Sequence, residues 1–374
     1  MMQLAFRRNG LQRSRVGRHA ARTLLAFVAA TLLTTGPAHA QQTKPTDPAP
    51  LTDHHIHIQS ELISDWLRQM QAAAPTAFDG ISDDLFAVRS GGDALHELDR
   101  AGIRQGVLLS MGYMFGFAAV PIAPGEMAKR MRAENRFNVD AALASQGRLV
   151  AFVGINPFQP NALKELQYWS HRRGASGVKL HLGNSGFDPA NTEQVRQLAT
   201  FFAAASNARM PLVVHLRGAA PFTKTNVGIF IDKVLSQAGD LPVQIAHGGG
   251  YGGIDQSTLD ALAAYGDAIT RHAPGTANLV FDLSAVVQFD PAKGPEPRDP
   301  AETRSVEEMR SAYVAAMRQI GLDRFVLASD WPALHPPAEY FVAEKVQLPV
   351  TEAEWKQLCA NLAPYLRSNW MPKP

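Results

Sequence analysis

LTDHHIHI, residues 51–58, is the stretch on which the reading of this chain turns. It is short, bounded by a Pro-rich segment, and carries His55 and His57 two positions apart. Successive side chains of a β-strand point to opposite faces, so these two imidazoles share a face, with Asp53 expected beside them. Four later runs have the same character: GVKLHL (177–182), PLVVHLRG (211–218), PVQIAHGGG (242–250) and RFVLASDWP (324–332). Each is apolar and finishes in a group that can hold or activate something. Strand ends that bring imidazoles and carboxylates together are what the carboxyl end of a parallel barrel provides.

Working outward, strand candidates fall at 52–57, 103–110, 148–155, 177–182, 211–216, 242–247, 278–284 and 324–329. Helical stretches separate them at 93–102, 126–147, 161–174, 191–208, 228–239, 255–273 and 305–321. Several of these open on Asn, Asp or Ser and close on Gly, as capped helices do. Eight alternations predict an α/β fold of the (β/α)8 TIM-barrel type, with a metal site at the C-terminal ends of the strands. A doubly wound open sheet is the rival, weakened by the lack of a Gly-rich phosphate turn after the first strand. Two long loops, 59–92 and 111–125, are expected either to stand over the mouth or to pack against a neighbour. A polar Pro-rich segment, 288–304, is expected to act as a lid.

The amino terminus reads differently. Residues 1–22 hold six arginines and no acid, TLLAFVAATLLTT (23–35) follows, and an A-x-A pattern precedes Gln41. This predicts a signal peptide over 1–40, a linker over 41–50 and one barrel domain over 51–374. The destination would be periplasmic or secreted. The whole chain nets +2, from 36 basic and 34 acidic residues. All six arginines leave with the signal, so the remainder is acidic, and no basic run points to nucleic acid or a membrane surface. The expected partner is a small-molecule substrate, with self-association left open. The single cysteine, Cys359, is expected in the core of a helix.

A His-x-His pair alone is a weak signal. His215 and His247, closing consecutive strands, strengthen it, because together they are best explained as converging on one point. Neutral imidazoles two apart on a strand suit a divalent cation, zinc first. Asp330 is expected to be both ligand and proton acceptor. Arg217, two residues past His215, is a candidate clasp for a substrate carboxylate, against an ordinary loop arginine. His54, His96, His171 and His272 read as ordinary polar residues, and His335 as a marginal pocket residue.

The order His-x-His, lysine, His, His, Asp along strands one, four, five, six and eight resembles the amidohydrolase superfamily. The closer likeness is to its amidohydrolase-related branch, which includes proteins similar to aminocarboxymuconate semialdehyde decarboxylase. AENRFNVDAALASQGRLVAFVGINP (133–157), GVKLHLG, ASDWP and QLCANLAPYL look like landmarks of that branch. The resemblance spans about residues 51–370 and implies that His55, His57, His215 and Asp330 hold one metal, with His247 as acid/base or polarising group. Were Lys179 carboxylated it would bridge two ions, with His215 and His247 on the second; Lys179 and His181 share a face. The implied activity is hydrolysis of an amide, lactone or other ester bond by a metal-activated water. Nonoxidative decarboxylation of an unsaturated or aromatic acid is the alternative. A third reading, of another class, is an exported metal- or ligand-binding protein without catalysis.

Overall fold

The computed structural model describes residues 48–73, 75, 83–116, 122–218, 222–287, 303–367 and 370. The expected signal peptide, most of the linker and nearly all of the 288–304 segment lie outside these. Eight strands run in sequence order around one parallel sheet: β1 Thr52–Ile56, β2 Gln105–Leu109, β3 Leu149–Gly154, β4 Ala175–His181, β5 Leu212–His215, β6 Val243–Ile245, β7 Leu279–Asp282 and β8 Phe325–Val326. Backbone bonds from β1 to the β8 segment close the ring: His54 N to Leu327 O (3.1 Å), Asp330 N to His55 O (2.8 Å) and His57 N to Trp331 O (2.7 Å). The protein is a TIM barrel.

Alternation decides what faces inward. Val107, Leu109, Val150, Phe152, Val213, Val280 and Val326 cluster with Ala363 and Tyr365. These side chains fill the barrel below the histidines, as a packed interior requires. Tyr365 rises into it from the C-terminal turn, its hydroxyl donating to Gln244 Oε1 at 2.6 Å. The opposite faces of the strands join the larger core beneath the helices.

The outer layer comprises α1 Glu61–Ala73, α2 Gly91–Arg100, α3 Pro124–Ala144, α4 Ala162–Ser170, α5 Thr192–Asn207, α6 Lys224–Ile229, α7 Gln256–Thr270, α8 Val306–Ile320, α9 Pro337–Gln347 and α10 Glu352–Ala360. Ser90, Ser305 and Thr351 each make a reciprocal capping box, which explains where α2, α8 and α10 begin. The helix expected over 228–239 instead starts at the Thr223 cap and passes into a π turn, Phe230–Val234, and a 3-10 turn, Leu235–Ala238. Cys359 is buried on α10, as expected.

The loops after β1 and β2 pack on each other. Ile63, Trp66, Leu67, Met70, Phe86, Tyr113, Met114, Phe115 and Met131 make a second apolar cluster. Glu134 of α3 is buried near it, accepting from the Ser60 hydroxyl and from Asn138 Nδ2. Burial pushes its carboxyl up to about 7. A group whose folded pKa is raised contributes stability that is full below its unfolded value and is lost as pH rises through the folded one. Glu134→Gln removes that loss. The variant should therefore gain on the parent between pH 5 and 9 by on the order of 2–3 kcal/mol, read by urea unfolding. Parallel pH profiles for the two proteins would contradict this.

Candidate metal centre

The centre is built where β8 meets β1. The β1–β2 register shifts between Asp53 and Ile56, which breaks the simple alternation. His55 and His57 still converge on one point, but Asp53 does not join them. Its carboxylate accepts from Ser329 N (3.0 Å), Ser329 Oγ (2.5 Å) and His55 N (3.2 Å). The expectation that Asp53 shares their site is corrected: it straps β1 to the residue before Asp330. Asp330 lies four residues past the end of β8, in a left-handed conformation with φ 59°.

His57 Nδ1 lies 2.5 Å from Leu109 O, so it carries the proton and Nε2 keeps the lone pair. His55 Nδ1 lies 3.1 Å from Asp282 Oδ2, and the same assignment follows. Both Nε2 atoms then face Asp330 Oδ1, at 3.2 Å from His55 and 3.1 Å from His57. Burial first, then the Lys179 charge, keep His55 neutral down to about pH 3. Two lone pairs and a carboxylate oxygen at this separation repel unless a cation stands among them. Asp330 Oδ2 is buried and has no hydrogen-bond partner among the described residues. The donor set fits a divalent transition metal or zinc, which takes imidazole and carboxylate ligands.

A second convergent group, His55, His247 and Asp282, shares His55 with the first. His55 Nδ1 spends its proton on Asp282, so this group lacks the lone pair a second ion would need there. Asp282 is a hub, accepting also from Gln244 Nε2 (2.7 Å), His247 N (2.9 Å) and Ser284 Oγ (2.5 Å). Burial opposes its ionisation, but His55 and the other donors outweigh it and hold the carboxyl below its usual range. Likewise burial works against Asp330, and His55, His57 and His247 bring it down to about 2.

Lys179 is 1% exposed, and its Nζ donates to His55 Nε2 at 3.1 Å. Burial draws the ammonium down to about 8, against the pull of Asp282 and Asp330. His181 stacks on His215, centroids 3.8 Å apart and planes within 17°. His215 Nδ1 and His247 Nε2 share a hydrogen bond of 3.0 Å, and His247 Nδ1 faces Ser284 O at 3.1 Å. His215 belongs to neither convergent group among the described residues. It reaches the centre through His247.

Arg217 stands at the mouth, but its fork is closed on Asp255, at 3.0 Å from Nη1 to Oδ1 and 2.6 Å from Nη2 to Oδ2. His54 is not an ordinary polar residue. Its Nδ1 lies 3.0 Å from Leu327 O and its Nε2 accepts from Ala363 N at 3.2 Å, tying β1 to β8 and to the C-terminal segment. His96, His171 and His272 are exposed, as the sequence suggested. Asp282 and Ser284 were missed. Their signal was present: LVFDLS puts a carboxylate at the end of strand seven much as LASD does after strand eight.

The family model described as amidohydrolase matches residues 52–361. No curated protein matches the sequence. Among solved structures, the chain is similar to 5-carboxyvanillate decarboxylase from Sphingomonas paucimobilis, at 16% identity and TM-score 0.55, covering 83% of this chain and 96% of that one. It is similar to the manganese complex of the decarboxylase of the same name from Novosphingobium aromaticivorans, at 13% identity and TM-score 0.55, covering 88% and 98%. It is also similar to a zinc-bound amidohydrolase from Burkholderia multivorans, at 17% identity and TM-score 0.51, covering 83% and 96%. Identities this low establish a common barrel and nothing finer.

His247 depends on a backbone that only glycine extends. His247 and Gly248 are both left-handed, with φ 57° and 58°, and a Cβ on Gly248 would overlap the Tyr313 hydroxyl. Gly248→Ala should therefore cost about 2–4 kcal/mol in urea unfolding. An unchanged midpoint would mean that this turn is not held as described.

Proposed function

The chain belongs to the amidohydrolase family, and we propose that it is a metal-dependent carboxy-lyase, removing CO2 without an oxidant from an aromatic or otherwise unsaturated acid. The observation that carries this is Lys179, a cation buried beside two carboxylates that stay ionised. With neutral imidazoles, Asp282, Asp330 and Lys179 leave the centre one negative charge. Together with a divalent ion they sum to one positive charge, which a substrate carboxylate neutralises. Buried charge left without a counter-charge is expensive, so the site is selective for an anion.

His55, His57 and Asp330 would hold the ion, with His215 as the further ligand the family resemblance implies. Zinc and manganese both suit such donors. When bound, the ion supplies Lewis-acid polarisation of a substrate oxygen. Lys179 donates to the same His55 Nε2 that the ion would use, so in the loaded site its ammonium turns to the substrate carboxylate. Asp330, ionised at rest, relays through Oδ2 a proton drawn from solvent. The bond to the carboxyl carbon breaks, its electron pair stays on the ring or alkene carbon, that carbon takes the proton, and CO2 leaves. His247 polarises the substrate from the β6 side. One ion per chain is supported by the two convergent groups sharing His55. The decarboxylases among the similar solved structures favour this reading.

Hydrolysis of an amide, lactone or other ester is the second reading. What favours it is the same Asp330 oxygen, depressed in pKa and without a protein partner among the described residues, as a base toward water. Export to the periplasm or outside the cell, on the strength of residues 1–40, completes the proposal.

Product analysis over a panel of aromatic acids, esters, lactones and amides separates the readings: CO2 release supports the lyase, acid release without CO2 the hydrolase, and no turnover a binding protein. His55→Ala should lose bound metal by elemental analysis. Asp330→Asn should lower kcat by about a hundredfold or more, beyond any fall in metal occupancy. A wild-type rate in Asp330→Asn would refute its role as proton carrier.

A further inference from the structure

Tyr113 was not among the residues singled out in the sequence, and neither the metal centre nor the proton path uses it. It sits in MGYMFG (111–116), within a 3-10 turn, Gly112–Gly116, that closely follows β2. Leu109 O, four residues earlier, fixes the His57 ring. The turn is held tightly. A Cβ on Gly112 would come within 2.8 Å of Asn135 Oδ1 and 3.2 Å of Gly154 O. Phe115 and Met114 anchor the turn in the apolar cluster with Trp66, its ring 5.8 Å from that of Phe115. The Tyr113 ring is thereby set in advance against His181, centroids 5.3 Å apart.

That contact extends a row of rings. Tyr113 meets His181, His181 stacks on His215, and His215 meets Tyr251 at 5.8 Å. The row forms a wall of aromatic and imidazole rings beside the centre, a surface that suits a planar conjugated molecule.

The Tyr113 hydroxyl is the unexplained part. The residue is only 6% exposed, yet its hydroxyl makes no hydrogen bond to any described residue. A phenylalanine would pack as well, and the hydroxyl, not sealed from solvent, can bond to a molecule that enters. Burial, and then the Asp330 charge, hold the phenol well above its ordinary pKa, so it is a donor at every working pH. Its ring contact with His181, which stacks on His215, puts it beside the histidines of the centre.

We propose that Tyr113 is a substrate-binding residue: its hydroxyl donates to a carboxylate oxygen of a planar conjugated acid lying along the Tyr113–His181–His215–Tyr251 row. This rests on the carboxylic-acid reading above. The carboxylate is the group that departs, so the bond is strongest in the bound ground state. Losing it weakens binding without raising the barrier from the bound complex.

The test uses the metal-loaded full chain and two probes, benzoate and the uncharged benzamide, with binding measured by calorimetry. Tyr113→Phe should weaken benzoate by about tenfold or more, the effect of one hydrogen bond to a charged group, and benzamide, whose neutral carbonyl accepts a weaker bond, by less. Its urea midpoint should match the parent, because no protein hydrogen bond is lost. With a turned-over acid, KM should rise and kcat stay within about threefold. Equal benzoate affinity in the two proteins overturns the proposal, as does failure of millimolar benzoate to bind the parent. A panel without CO2 release but with Tyr113-dependent benzoate binding would overturn the lyase reading and leave this one standing.

Discussion

Everything at the centre depends on three acceptor atoms crowding one point, with the Lys179 ammonium on His55 Nε2 as the one proton donor they meet among the described residues. His57 gives its ring proton to Leu109 O, and His55 gives its own to Asp282. What both present to Asp330 is a lone pair. Such an arrangement is repulsive in a buried site of low dielectric, and a cation converts it into a cage. The barrel supplies the force that holds it together. Closure of β8 on β1 brings Asp330 N to His55 O and His57 N to Trp331 O, so the ligand geometry is fixed by main-chain bonds. Asp53, strapped to Ser329, braces the same seam.

Lys179 gives the centre its sign. Without it, two ionised carboxylates would simply match a divalent ion. With it, the loaded site is short of one negative charge. On the proposed function a substrate carboxylate would supply that charge, and the same ammonium would be free to meet it once an ion took His55 Nε2. Arg217, the candidate the sequence offered for that task, pairs with Asp255 at the start of α7.

The barrel was legible because its signal is repeated: eight apolar runs, each ending near a turn, cannot easily be anything else. The residues that converge were legible for a similar reason, since His55, His57, His247 and Asp330 each close such a run. What escaped were the consequences of backbone irregularity. The register shift in β1 turns Asp53 away from its neighbours, and no periodicity announces a bulge. Asp282 was hidden because a carboxylate at a strand end looks like a loop residue until the hydrogen bonds are counted. Tyr113 was hidden inside an apolar loop where one more aromatic ring drew no notice. His54 was discounted by strand alternation, yet the same irregularity makes it a staple to Ala363.

The most direct test is an anomalous-scattering map of crystals grown with manganese or zinc. A single peak within bonding reach of His55 Nε2, His57 Nε2 and Asp330 Oδ1, with the Lys179 ammonium moved off His55, is the predicted result. A map with no peak among those three atoms, and Lys179 Nζ still donating to His55, would contradict the account.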